Sequence, residues 1–154
     1  MKLQYRVKKS KYEVASQFRV DVSKVFFDEN GENVSLDFEW YGEPRRITDD
    51  DGMVALDVAG ILTISAGEGW DGASGPTRDS KKSKRASLTH DMLYRLMRQG
   101  HLPKLCRRAA DELFYDMLRE DGMSQFRAWI WWRAVSKFAA PFADRDHVGE
   151  VYST

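Results

Sequence analysis

Cysteine is almost missing from this chain. Cys106 is the one thiol in 154 residues, so no internal disulfide can form, which fits a reducing compartment or a small fold held by packing alone. Long apolar runs are missing too. Nothing approaches the roughly 20 consecutive apolar residues of a membrane-spanning helix. The N-terminal stretch MKLQYRVKKSKYEV alternates charge with apolar residues and has no apolar signal segment. The expectation is a protein with neither signal peptide nor membrane span. Net charge is also absent, with 24 basic residues against 24 acidic ones. Histidine is scarce, and His101, Cys106 and His147 lack the spacing of a structural zinc site. Repeats and low-complexity stretches are lacking, which leaves one domain, 1–154, long enough for a single core.

What is present is unevenly distributed. Asp28 to Asp57 is acidic, opposed there by Arg45 and Arg46; Arg78 to Arg108 is basic, opposed by Asp79 and Asp91. These regions either neutralise each other or leave a basic surface for phosphate groups. The run RDSKKSKR is short and has no interleaved aromatics, which argues against nucleic acid as a partner.

The hydrophobic pattern divides the chain at a glycine-rich stretch. Through residue 65, LQYRV, SQFRVDV, VSLDFEW and ILTISAG alternate with a period of two and predict short antiparallel strands. DENGEN and DDDG predict turns. AGEGWDGASGPTRDS, residues 66–80, reads as a long loop, and a loop of that length in a compact domain is either functional or disordered. The period then becomes helical over residues 81–142. Helix one is expected from Lys84 to Gln99 with Gly100 as its stop. Helix two is expected from Pro103, in its first turn, to Arg119, and helix three from Ser124 to Ala139. The tail 143–154 is expected to be mobile. The class is α+β.

The chemistry-bearing residues concentrate on helices one and two. His90 and Tyr94 share a face, with Asp91 about 100° round. Asp111 lies on the largely apolar stripe of helix two, where a carboxylate needs a partner. A three-residue connection makes the helices antiparallel neighbours, and His90 and Asp111 then fall at similar depth. Such a pair is either a satisfied structural contact or a dyad in which Asp fixes the His tautomer for proton transfer. Asp91 either binds a hard cation or pairs with Arg95. Asp71 and Ser74 either serve the site or build the turn. On helix three, Trp129, Trp131 and Trp132 cannot all face one core. Those left outside, flanked by Arg127, Arg133 and Lys137, form a partner-protein surface or a lipid interface.

HDMLY followed by ADELFYDML resembles the core of phospholipase A2, where His-Asp-x-x-Tyr on one helix faces an Asp on its antiparallel partner after a glycine-rich calcium loop. The resemblance implies His90 as base, Asp111 orienting it, and Tyr94 supporting Asp111. It further implies Ca²⁺ on Asp91, with Gly67, Gly69 and Gly72 in the calcium loop, where from the residues alone Asp71 offers a second carboxylate. The cysteines that staple secreted phospholipases have no counterpart: Thr89 precedes His90 and Cys106 has no partner. The loop also carries Trp70 and Asp71 in its middle, unlike the usual calcium loop. A longer stretch is similar to the phage-associated family DUF1353. It comprises GWDGASGPTRD, ASLTHDMLYRLM, ADELFYDML and WWRAVSKFAAPF, from about Ile61 to Phe142. Two functions are implied. One is a phospholipase A2-like lipid ester hydrolase meeting a phospholipid surface. The other is a non-enzymatic phage tail, connector or assembly protein with a virion partner. Both place the chain in the bacterial host cytoplasm or the virion.

Overall fold

A computed structural model describes residues 2–8, 11–28, 30–33, 39–40, 43–44, 46–70 and 81–138. Short strands come first: β1 (Tyr5–Lys8), β2 (Lys11–Val14), β3 (Phe18–Asp21), β4 (Glu39–Trp40), β5 (Glu43–Pro44), β6 (Ile47–Thr48), β7 (Val54–Leu56), β8 (Ile61–Ile64) and β9 (Gly69–Trp70). Three helices follow: α1 (Lys84–Arg98), α2 (Arg107–Glu120) and α3 (Gln125–Phe138). The α+β class expected from the sequence is the class observed. Among the described residues the strands pair antiparallel as β1-β2-β9, β3-β8-β7-β6 and the ribbon β4-β5.

The four-stranded sheet follows from alternation. Phe18 and Val20 point inward while Arg19 and Asp21 point out. Their register opposite Ile64 and Leu62 puts four apolar side chains on the buried face. The acidic stretch supplies the turns. Asp28 Oδ1 accepts the backbone N–H groups of Asn30 and Glu32, and Asp49 Oδ1 accepts those of Met53 and Val54. Gly60 is needed for contact as well as conformation. It has φ +85°, and a Cβ there would lie 2.5 Å from the Ser23 Cβ.

α1 and α2 end as their following glycines require. The Gly100 N–H donates to the Met97 carbonyl and His101 N–H to that of Leu96; Gly122 and Met123 repeat the pattern on Arg119 and Leu118. These are Schellman closures with a left-handed glycine. Pro103 lies one step earlier than expected, capping the 3-10 turn Lys104–Cys106 ahead of α2. Arg85 at the start of α1 holds Glu120 and Asp121 at the end of α2, while mid-helix residues meet each other, so the pair runs antiparallel. Leu88, Met92, Leu93, Leu96 and Met97 of α1 join Phe114, Met117 and Leu118 of α2 in one core with the sheet residues.

The stretch read as loop from residue 66 begins as sheet. Val14 N–H donates to the Glu68 carbonyl, Gly67 N–H to that of Val14, and Gly69–Trp70 pairs with Tyr12 and Glu13. Burial of the Trp70 side chain against Tyr5 and Tyr12 outweighs the turn tendency of the glycines. Residues 71–80 and 139–154 lie outside the described residues, as do the loop and tail expectations made for them.

Candidate functional site

The antiparallel helix pair brings three of the expected site residues together. His90 Nε2 lies 2.7 Å from Asp111 Oδ1, and the Tyr94 hydroxyl donates to the same oxygen at 2.6 Å. His90 and Asp111 are 5% and 3% exposed, so this network is inside the protein. The His90 ring lies 4.2 Å from that of Tyr94 and 5.1 Å from that of Phe114, centroid to centroid. Burial pushes the Tyr94 phenol far above its ordinary range, and the Asp111 charge adds to the shift. Tyr94 is thus a fixed donor.

These contacts define the His90 tautomer. An ionised carboxylate only accepts, so Nε2 carries a proton and donates it to Asp111. In the neutral ring the lone pair is then on Nδ1. Among the described residues no group hydrogen-bonds Nδ1. The arrangement is an oriented imidazole with one nitrogen left to take a proton.

Asp91 is half-buried one residue beyond His90 and has its own polar contacts. The Arg95 pairing is not the one formed. Arg95 holds Glu68 at 2.6 Å and Asp49 at 3.4 Å. The reason is burial: the Asp49 side chain is fully enclosed and needs a cation, whereas a helical i,i+4 pair contributes only about 0.2–0.5 kcal/mol.

The glycine segment is tied to α1 one turn before and one turn after Asp91. Trp70 Nε1–H donates to Ser87 Oγ at 3.2 Å, and Glu68 holds Arg95. Ser87, Asp91 and Arg95 are successive residues on one helical stripe, so the two contacts flank Asp91 along α1. Gly67 and Gly69 themselves belong to the turn and strand that join β2. Asp71, Gly72 and Ser74 lie outside the described residues. Among the described residues no group of three His, Cys, Asp or Glu side chains is placed to hold a metal.

The interface residues separate on α3. Trp131 is 3% exposed and reaches Phe114, the neighbour of His90, so it belongs to the core and not to the surface. Trp132 is half-buried. Trp129 is 44% exposed, and the exposed Arg133 guanidinium lies 5.5 Å from its ring centroid. Phe126 and Ile130, unremarked in the sequence, join Trp129 outside at 70% and 37% exposure. Their spacing at i, i+3 and i+4 was the available signal.

An α+β domain with a buried His–Asp–Tyr network between antiparallel helices is the class that fold and site define. The chain belongs to the family described as "Protein of unknown function (DUF1353)", whose model matches residues 56–135, from β7 into α3. No curated protein and no solved structure matches the chain. No helix among the described residues is long and apolar enough to cross a membrane.

Proposed function

We propose that the protein is a phage-encoded lipid ester hydrolase resembling phospholipase A2 in its chemistry, with His90 as general base. One observation carries the reading: a single Asp111 oxygen accepts from both His90 Nε2 and Tyr94, which turns the ring and leaves Nδ1 unpartnered among the described residues. Nδ1 takes a proton from water as the water oxygen adds to the ester carbonyl. When the acyl–oxygen bond breaks, the departing alcohol takes that proton. Tyr94 and Asp111 do not touch substrate; they position the base. Ca²⁺ belongs to the same proposal, with Asp91 as its ligand, Asp71 as a second carboxylate and Gly72 implied by resemblance.

The experiment is fatty-acid release from phosphatidylglycerol vesicles, with Ca²⁺ and with chelator, by wild type and His90→Gln. Hydrolysis that drops about 10²- to 10⁴-fold in the variant supports general-base catalysis. A folded wild type that cleaves no phospholipid in either condition overturns it. The burial of His90 and Asp111 favours a second reading, in which the network is a satisfied packing unit of a phage tail, connector or assembly protein. Co-purification with virions, unchanged by His90→Gln, is its expected result.

A further inference from the structure

The outer face of α3 is not explained by the fold or by the His90 network. Phe126, Trp129 and Ile130 are exposed there side by side, while Ala128, Trp131 and Ala134 face the core. Large apolar side chains clustered on one exposed face of a helix mark a binding surface. The charges on the same helix narrow the occupant. α3 carries Arg127, Arg133 and Lys137 and no acidic residue, and the acid-free stretch extends over residues 122–143. Neither Arg127 nor Arg133 has a carboxylate partner among the described residues.

From this combination we infer that α3 is a docking face for an anionic lipid surface. Trp129 and Phe126 suit the boundary between headgroups and acyl chains, where an aromatic body is buried and the surroundings are polar. Arg127 and Arg133 lie within reach of phosphate on that boundary. The Arg133 guanidinium near the Trp129 ring shows cation and apolar surface interleaved, not separated into a dry core and a polar rim. A second copy is the poorer occupant, because a symmetric contact through α3 would set these cations against themselves. The chain is neutral overall, so attraction to an anionic surface has to come from a local patch such as this one.

The inference concerns the surface and not the chemistry, so His90→Gln is expected to bind lipid as wild type does. That separates its failure from failure of the hydrolase reading. The probe is co-sedimentation with vesicles of phosphatidylcholine alone and of phosphatidylcholine mixed with phosphatidylglycerol. Binding is expected only to the mixed vesicles, and salt should weaken it. Arg127→Glu and Arg133→Glu should each weaken it at least about fivefold, and Ile130→Glu about tenfold or more. These side chains are exposed, and a thermal melt of each variant checks that it folds. Arg19→Glu on the exposed side of β3 changes net charge equally and should leave binding intact. Absence of binding to mixed vesicles overturns the inference, as does equal weakening by Arg19→Glu. Self-association abolished by Ile130→Glu, without vesicle binding, assigns the face to a second copy and overturns it too.

Discussion

Replacing Asp111 separates what its charge does from what its position does. Two donors converge on Oδ1 in a site that is 3% exposed. In Asp111→Ala the His90 N–H and the Tyr94 hydroxyl both lose their acceptor where solvent cannot replace it. Each orphaned donor costs about 1–3 kcal/mol, so the expected loss is about 2–6 kcal/mol. That is a large share of the roughly 5–15 kcal/mol that holds a domain folded. Asp111→Asn keeps an oxygen in the same place and the same volume, so its loss should be nearer 1 kcal/mol. The assay is urea unfolding followed by circular dichroism, with unchanged m-values as the condition for comparing midpoints. Under the proposed hydrolase reading, hydrolysis should order the variants differently. Asp111→Asn should fold well and still be slow, because a neutral amide no longer stabilises the imidazolium formed during proton transfer. An Asp111→Ala protein within about 0.5 kcal/mol of wild type would refute the reasoning, since surface-like tolerance is incompatible with two buried donors losing one acceptor.

Other consequences follow from single contacts. Tyr94→Phe removes one of the two bonds to Asp111 and should cost about 1–3 kcal/mol in the same unfolding assay; under the proposed hydrolase reading it should reduce hydrolysis less than His90→Gln does. Arg95→Met leaves the enclosed Asp49 and Glu68 without their cation, and chemical denaturation should show a loss of about 3–5 kcal/mol. Gly60→Ala combines a left-handed φ with a contact to Ser23 that must open, so it should cost several-fold more than Gly52→Ala, which meets nothing within 4 Å. The latter should lose only about 1–2 kcal/mol. Burial pushes the Cys106 thiol up to about 11, so it stays protonated in mildly alkaline buffer. Thiol reagents should label it only as the protein unfolds, which labelling against denaturant would show.

The parts of the fold legible in the sequence are those set by local chemistry. Gly100 and Gly122 end α1 and α2 because only a residue free of Cβ strain takes the left-handed closing position readily. The His90–Asp111 contact was legible because a short connection and two helical periods fix which residues reach the same depth. Long-range requirements were not legible. β2, KYEV, has a lysine and a glutamate among its four residues and becomes a strand through pairing on both sides, with β1 and β9. Gly69–Trp70 reads as loop from its glycines, yet the indole is buried among Tyr5, Tyr12 and Ser87. The Asp49–Arg95–Glu68 cluster depends on three separate segments meeting, so a helical i,i+4 rule pointed Arg95 at the wrong acid. Gly60 gave no sign that Ser23 would lie against it.

The most direct measurement is the protonation pattern of the His90 ring, read by long-range ¹H–¹⁵N correlation on the neutral imidazole. The expected spectrum places the proton on Nε2 and a lone pair on Nδ1, with that preference lost in Asp111→Ala. A proton on Nδ1 in the wild type would contradict the central claim, because the nitrogen assigned as base would then have no lone pair to accept a proton.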